Sequence, residues 1–101
     1  MINSTAIKLS SEEWGRIIQL GIDSHIKELE SELERAMTRI KEYETKYRMT
    51  FVRLNEVGLP DTAGLEEHED YVEWSSWEGY IAELNTKLDN LHALAETSNG
   101  G

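Results

Sequence analysis

His68 stands in the run Glu66-Glu67-His68-Glu69-Asp70, where the pairs Glu66/Glu69 and Glu67/Asp70 have the three-residue spacing that sets two carboxylates on one helix face. Such a set holds a hard cation when a second helix brings matching carboxylates to the same level. No second pair is evident, because the stripe that would face the run is aliphatic and tyrosyl. A helix N-terminal cap accounts for the run instead, since carboxylates favour the positive end of the helix dipole. Asp89 and His92 repeat the spacing once with no counterpart, and His25 precedes an apolar stripe residue as a solvent-edge or partner-contact position. No nucleophile elbow, phosphate loop or metalloprotease motif occurs, and no serine has a defensible His and carboxylate arrangement. The chain is therefore expected to be no enzyme, with no catalytic residues, no metal and no cofactor.

The aromatic residues carry the other chemistry. Tyr71, Trp74, Trp77 and Tyr80 recur every third residue, on one broad helix face. One reading is core: large rings closing a helical hairpin beside its loop. The sharper reading is a partner-binding hot spot formed by Tyr71, Trp74 or Tyr80 and rimmed by Asp70, Glu73 and Glu78. Trp14 divides evenly between the two, because no partner for it within the chain is evident.

The elements that position these residues follow from apolar spacing. Ile22, Ile26, Leu29, Leu33, Ala36, Ile40, Tyr43 and Tyr47 alternate steps of four and three, as do Trp74, Trp77, Ile81, Leu84, Leu88, Leu91 and Ala95. That period keeps one narrow stripe on the same side of a helix, the seam of a coiled coil or helical hairpin. The spacing predicts a first helix over about 11–47, capped at Ser10 or Ser11 ahead of Glu12 and Glu13. A short turn over about 51–57, capped by Thr50 and ended by Gly58 and Pro60, leads to a loop at 58–66. A second long helix follows over about 67–96, then a disordered tail at 97–101. Ala6–Leu9 reads as a short strand or extended arm. The fold class is thus all-α: one domain, residues 1–96, built as a long antiparallel two-helix hairpin.

A two-helix seam buries one stripe per helix, which is thin for an isolated domain. The first helix is expected to project past the second, leaving Trp14, Ile17, Ile18 and Ile22 to be covered by a second copy or another protein. The assembly is expected to be dimeric or higher.

Composition narrows the function classes. The chain has 101 residues, a formal charge of −10 and no cysteine, which excludes disulfides, thiol catalysis and cysteine zinc sites. Residues 1–53 hold nine acids and nine bases; from Asn55 onward there are eleven acids and Lys87 alone. Direct nucleic-acid binding is disfavoured, because phosphates need a basic surface. No run approaches the roughly 20 apolar residues of a membrane span. No secretory signal is read at the N-terminus, so a cytoplasmic protein is expected.

Tyr43-Glu44-Thr45-Lys46-Tyr47-Arg48-Met49-Thr50-Phe51 and the later Glu69-Asp70-Tyr71-Val72-Glu73-Trp74 resemble a group of small prokaryotic helical proteins. In that group a "YExKYGMSxxEF" stretch precedes an acidic "DDxDFFEW" stretch and a second helix. The group is similar to the antitoxin members of toxin–antitoxin modules with TumE-type toxins. The resemblance covers roughly residues 7 to 92, and the matched positions are Tyr47, Met49, Phe51, Asp70, Tyr71 and Trp74. Arg48 stands where the group has glycine, which puts the kink after the first helix in question. The resemblance implies an antitoxin-like protein that sequesters a small basic protein, an RNA-targeting toxin, by contact. In this reading the acidic stretch Glu66–Glu78 supplies complementarity and Trp14–Ile22 supplies apolar anchors. The alternative is a self-associating coiled-coil adapter or chaperone-like subunit; a metal-dependent helical hydrolase comes third.

Overall fold

The computed structural model describes residues 8–100, with side chains described as far as Thr97. Three helices follow in order: α1, Ser11–Tyr47; α2, Phe51–Val57; and α3, Leu65–Gly100. The long antiparallel hairpin expected from the stripes is the observed architecture. Ser10 begins α1 as a complete capping box, its hydroxyl accepting from the Glu13 N–H at 3.1 Å while its own N–H donates to Glu13 Oε1 at 3.0 Å. Thr50 caps α2 by accepting from the Arg53 N–H at 3.1 Å.

The α1–α2 joint turns on Arg48, which adopts the left-handed conformation at φ 55° and ψ 39°. The kink is therefore kept although glycine is absent, with a Cβ in a region that disfavours one. Gly58 ends α2 at φ 75°, its N–H bonded to the Leu54 carbonyl at 2.7 Å.

Both ends of α3 differ from the sequence reading. It starts at Leu65 rather than Glu67, because the Gly64 N–H donates to Glu67 Oε1 at 2.5 Å and the Gly64 carbonyl accepts from His68. It continues to Gly100 instead of ending at Glu96, with the Thr97 hydroxyl bonded to the Ala93 carbonyl. The expected arm lies partly outside the described residues; Lys8 and Leu9 form no regular element.

The stripes meet as two clusters. Near the loop, Ile40, Tyr43, Leu54 and Trp74 are buried, with Tyr47, Met49, Phe51, Leu59, Tyr71, Trp77 and Ile81 packed around them. Toward the far end, Ile22, Ile26, Leu29, Leu84 and Leu88 are buried, with Leu33, Tyr80, Leu91 and Ala95 alongside. The radius of gyration is 21.2 Å, against about 13 Å for a compact chain of this length. A rod of that shape has little interior, which is why so few side chains are fully enclosed.

Register corrects one expectation. Lys46 meets Glu66 and Tyr80 meets Glu32, so the last turn of α3 comes level with the first turns of α1. The start of α1 does not project beyond a shorter partner. It stays uncovered because Ala95 is the last apolar residue that α3 can bring to that level.

Candidate functional site

The residues flanking the loop form a dense joint of rings and charges. The indole of Trp74 is fully buried, stacked on Tyr43 at 5.5 Å and Tyr47 at 6.0 Å between ring centroids, with Phe51 tilted against it at 5.4 Å. Its N–H donates to Glu78 Oε2 at 3.2 Å. Around this centre, Asp70 Oδ2 accepts from Lys46 Nζ at 2.6 Å and from the Tyr47 hydroxyl at 2.5 Å. Lys46 also reaches Glu66, at 2.5 Å. Arg39 pairs with Glu73 and Glu42, and its guanidinium lies 5.4 Å from the Tyr43 ring centroid and 6.0 Å from that of Trp77. The Tyr71 hydroxyl donates to Asn55 Oδ1 at 2.6 Å, tying α3 to α2.

These contacts set the protonation of the joint. Lys46 and Tyr47 hold the Asp70 carboxyl below its ordinary range, and Tyr43 with Arg39 does the same for Glu73. Burial pushes the Tyr43 and Tyr47 hydroxyls up to about 12, with Glu73 and Asp70 adding to it respectively. Asp70 and Glu66 raise the Lys46 ammonium above its ordinary value. Every shift favours the state in which the helices are bridged.

The expected partner-binding residues therefore separate. Trp74 has no surface to offer a partner: the rings of Tyr43, Tyr47 and Phe51 would have to part before it could be reached. Asp70 is taken up by Lys46 and Tyr47, and Tyr71 is half-buried on Phe51. Glu73 and Glu78 keep solvent contact but hold Arg39 and the Trp74 N–H. Ile22 is buried against α3 rather than left for a partner. The motif positions Tyr47, Met49, Phe51, Asp70, Tyr71 and Trp74 all converge on this joint, where they close the hairpin.

Two surfaces remain open. On α1, Trp14, Ile17, Ile18 and Leu20 are 50–61% exposed. On α3, the side away from α1 carries Leu65 and Val72, 76% and 65% exposed, beside His68, Glu69 and Glu73, with a shallow concavity of about 520 Å³ at the last four residues. Among the described residues, Glu67, Glu69, Glu78, Glu83, Asp89 and Glu96 of α3 have no ion-pair partner. Leu65 and Val72 escaped the sequence reading, which held Glu69 only as part of the acidic stretch. Their one signal was that two apolar residues fall outside the three-and-four stripe.

A groove of about 460 Å³ between the helices is lined by Glu32, Arg35, Thr38, Arg39, Trp77 and Tyr80, with the Tyr80 hydroxyl donating to Glu32 at 2.5 Å. Its rim carries both signs of charge and no nucleophile–base pair. Among the described residues no three His, Asp or Glu side chains converge closely enough to hold a metal ion. None of the described helices is long and apolar enough to cross a membrane. Compared with models of protein families, with curated proteins and with solved structures, the chain gives no match.

Proposed function

We propose that the protein is a non-catalytic binding module that sequesters a small basic protein on α3, in the manner of an antitoxin holding an RNA-targeting toxin. One observation carries the reading. After the hairpin has matched Glu66, Asp70 and Glu73 to cations of α1, α3 still carries six carboxylates without ion partners among the described residues and a single cation, Lys87. That surface attracts a basic partner at long range, and exposed Leu65 and Val72 give it apolar ground to hold on to. An RNA-cleaving protein must be basic around its active site, so an acidic helix occupies the place of phosphates there. The contact face moves from the buried Trp74 edge to the outer side of α3, centred on Glu69 and Val72.

Co-expression with the product of the adjacent open reading frame tests the proposal. A small basic protein is expected to co-purify at low salt, to dissociate progressively as salt is raised, and to lose binding in a Glu69→Lys, Val72→Asp chain. Binding insensitive to salt and to both changes would sink it. A self-associating adapter is the second reading, favoured by the exposed apolar start of α1.

A further inference from the structure

The uncovered start of α1 has a pattern of its own. Trp14, Ile17, Gly21, Ser24 and Glu28 follow steps of three and four, a second stripe turned away from the one that packs on α3. It descends from bulky to small: indole and isoleucine first, then glycine and serine. Glu13, Leu20 and Lys27 run along one flank at steps of seven, and Ile18 lies on the other. Trp14, Ile17, Ile18 and Leu20 are half or more exposed, and a Cβ added at Gly21 would meet nothing within 4 Å. Lys27 has no ion-pair partner among the described residues, and Glu13 bonds only within its own cap.

A stripe graded in this way is complementary to itself when reversed. We propose that two copies of the chain join through the first turns of α1, packed antiparallel about a two-fold axis beside Leu20. In that arrangement Trp14 lies over Ser24 of the second copy, and Ile17 lies over Gly21 of the second copy. Each bulky side chain thus finds a small one, as interdigitated seams require. On the flank, Glu13 meets Lys27 of the second copy, twice by symmetry, while Leu20 meets its own counterpart. The parallel alternative stacks Trp14 on Trp14 and Glu28 on Glu28, and leaves holes at Gly21 and Ser24. Lys8, Arg16 and Lys27 nearly balance Glu12, Glu13, Asp23 and Glu28, so the overall charge of −10 does not oppose contact there. The joined hairpins extend in opposite directions, and the loop-end half of α3, with Glu69 and Val72, stays free on both copies.

Sedimentation equilibrium of the full chain at tens of micromolar is expected to give twice the chain mass of 11.6 kDa. Ile17→Glu should return the single-chain mass with the helical circular dichroism unchanged, because Ile17 faces solvent in the hairpin. The chain has no cysteine, so orientation can be read directly by cross-linking. Leu20→Cys should oxidise to a covalent dimer, and Trp14→Cys should couple to Ser24→Cys in a mixture but not to itself. A wild-type mass of one chain, a dimer that survives Ile17→Glu, or Trp14→Cys self-coupling as readily as Leu20→Cys would each overturn the proposal. No basic partner enters these measurements, so their failure leaves the reading of α3 standing, and failure of that reading leaves the seam.

Discussion

At the loop end of the hairpin, Trp74 is wrapped by Tyr43, Tyr47 and Phe51, and the rings are fenced by Lys46, Asp70, Arg39 and Glu73. At the far end, Ile22, Ile26, Leu29, Leu84 and Leu88 touch along a single seam, with no ion pair between α1 and α3 among the described residues there. Both ends come from the same heptad spacing, yet one closes on itself and the other leaves Trp14, Ile17, Ile18 and Leu20 half or more exposed beyond its seam. A third element makes the difference. α2 folds back across the loop end and supplies Leu54 and Phe51 as a lid, whereas nothing described plays that part beyond Ile22. The two proposals follow the same division: charge left over on α3, and apolar surface left over on α1.

Substitutions on the two clusters sharpen the contrast. Trp74→Ala removes the largest enclosed side chain and should cost about 3–5 kcal/mol, enough to abolish cooperative unfolding in urea. Leu84→Ala, in the far seam, should cost about 2–4 kcal/mol, at the lower end if that thin seam can collapse. Equal losses would erase the distinction. Amide hydrogen exchange offers an independent check, with slow exchange expected around Tyr43 and Trp74 and faster exchange around Ile22 and Leu91.

Asp70→Asn leaves the shape of the joint and removes its charge, and should cost about 1–2 kcal/mol by thermal melting. The same bridge sets a pH window. Asp70 and Glu73 have lowered carboxyl values in the folded chain, so their stabilisation is present above the ordinary carboxylate range and lost as pH falls through the lowered values. Tyr43 and Tyr47 are raised from 10 to about 12, so their contribution is complete below 10 and disappears as pH climbs through about 12. Lys46, raised as well, also loses its contribution only on the alkaline side. The melting temperature should be level between the two limits and fall on both sides; a maximum at acid pH would contradict the assignment.

The smallest effect is a gain. Arg48 holds a left-handed conformation that costs a non-glycine residue about 1 kcal/mol, so Arg48→Gly should raise the melting temperature by roughly 4–8 °C. No change would mean that the Arg48 side chain offsets the strain elsewhere.

Much of this architecture is legible without coordinates. Local signals act over a few residues and need no partner to be read: the Ser10 capping box, Thr50 at the start of α2, Gly58 at its end, and the stripes that name both seams. The antiparallel placing of Trp74 against Tyr43 and Tyr47 follows from a short connection. The site was harder to read because exposure belongs to the assembled hairpin. Trp74 and Asp70 look like a partner surface in a helix considered alone, and become interior once α1 and α2 close over them. Leu65 and Val72 look incidental in the sequence, and become the open apolar ground of an acidic helix.

The sequence by itself determined the helices, the caps of α1 and α2, the antiparallel direction and the confinement of the charge excess to the second half, because each rests on spacing or composition along one chain. Only the tertiary structure decided which of those charges are used up. Lys46 and Arg39 select Glu66, Asp70 and Glu73 by register across twenty or more residues, and register depends on how two stripes of side chains interlock. Among the described residues, the six carboxylates of α3 left without ion partners after that selection are the surface that the proposed basic partner would meet.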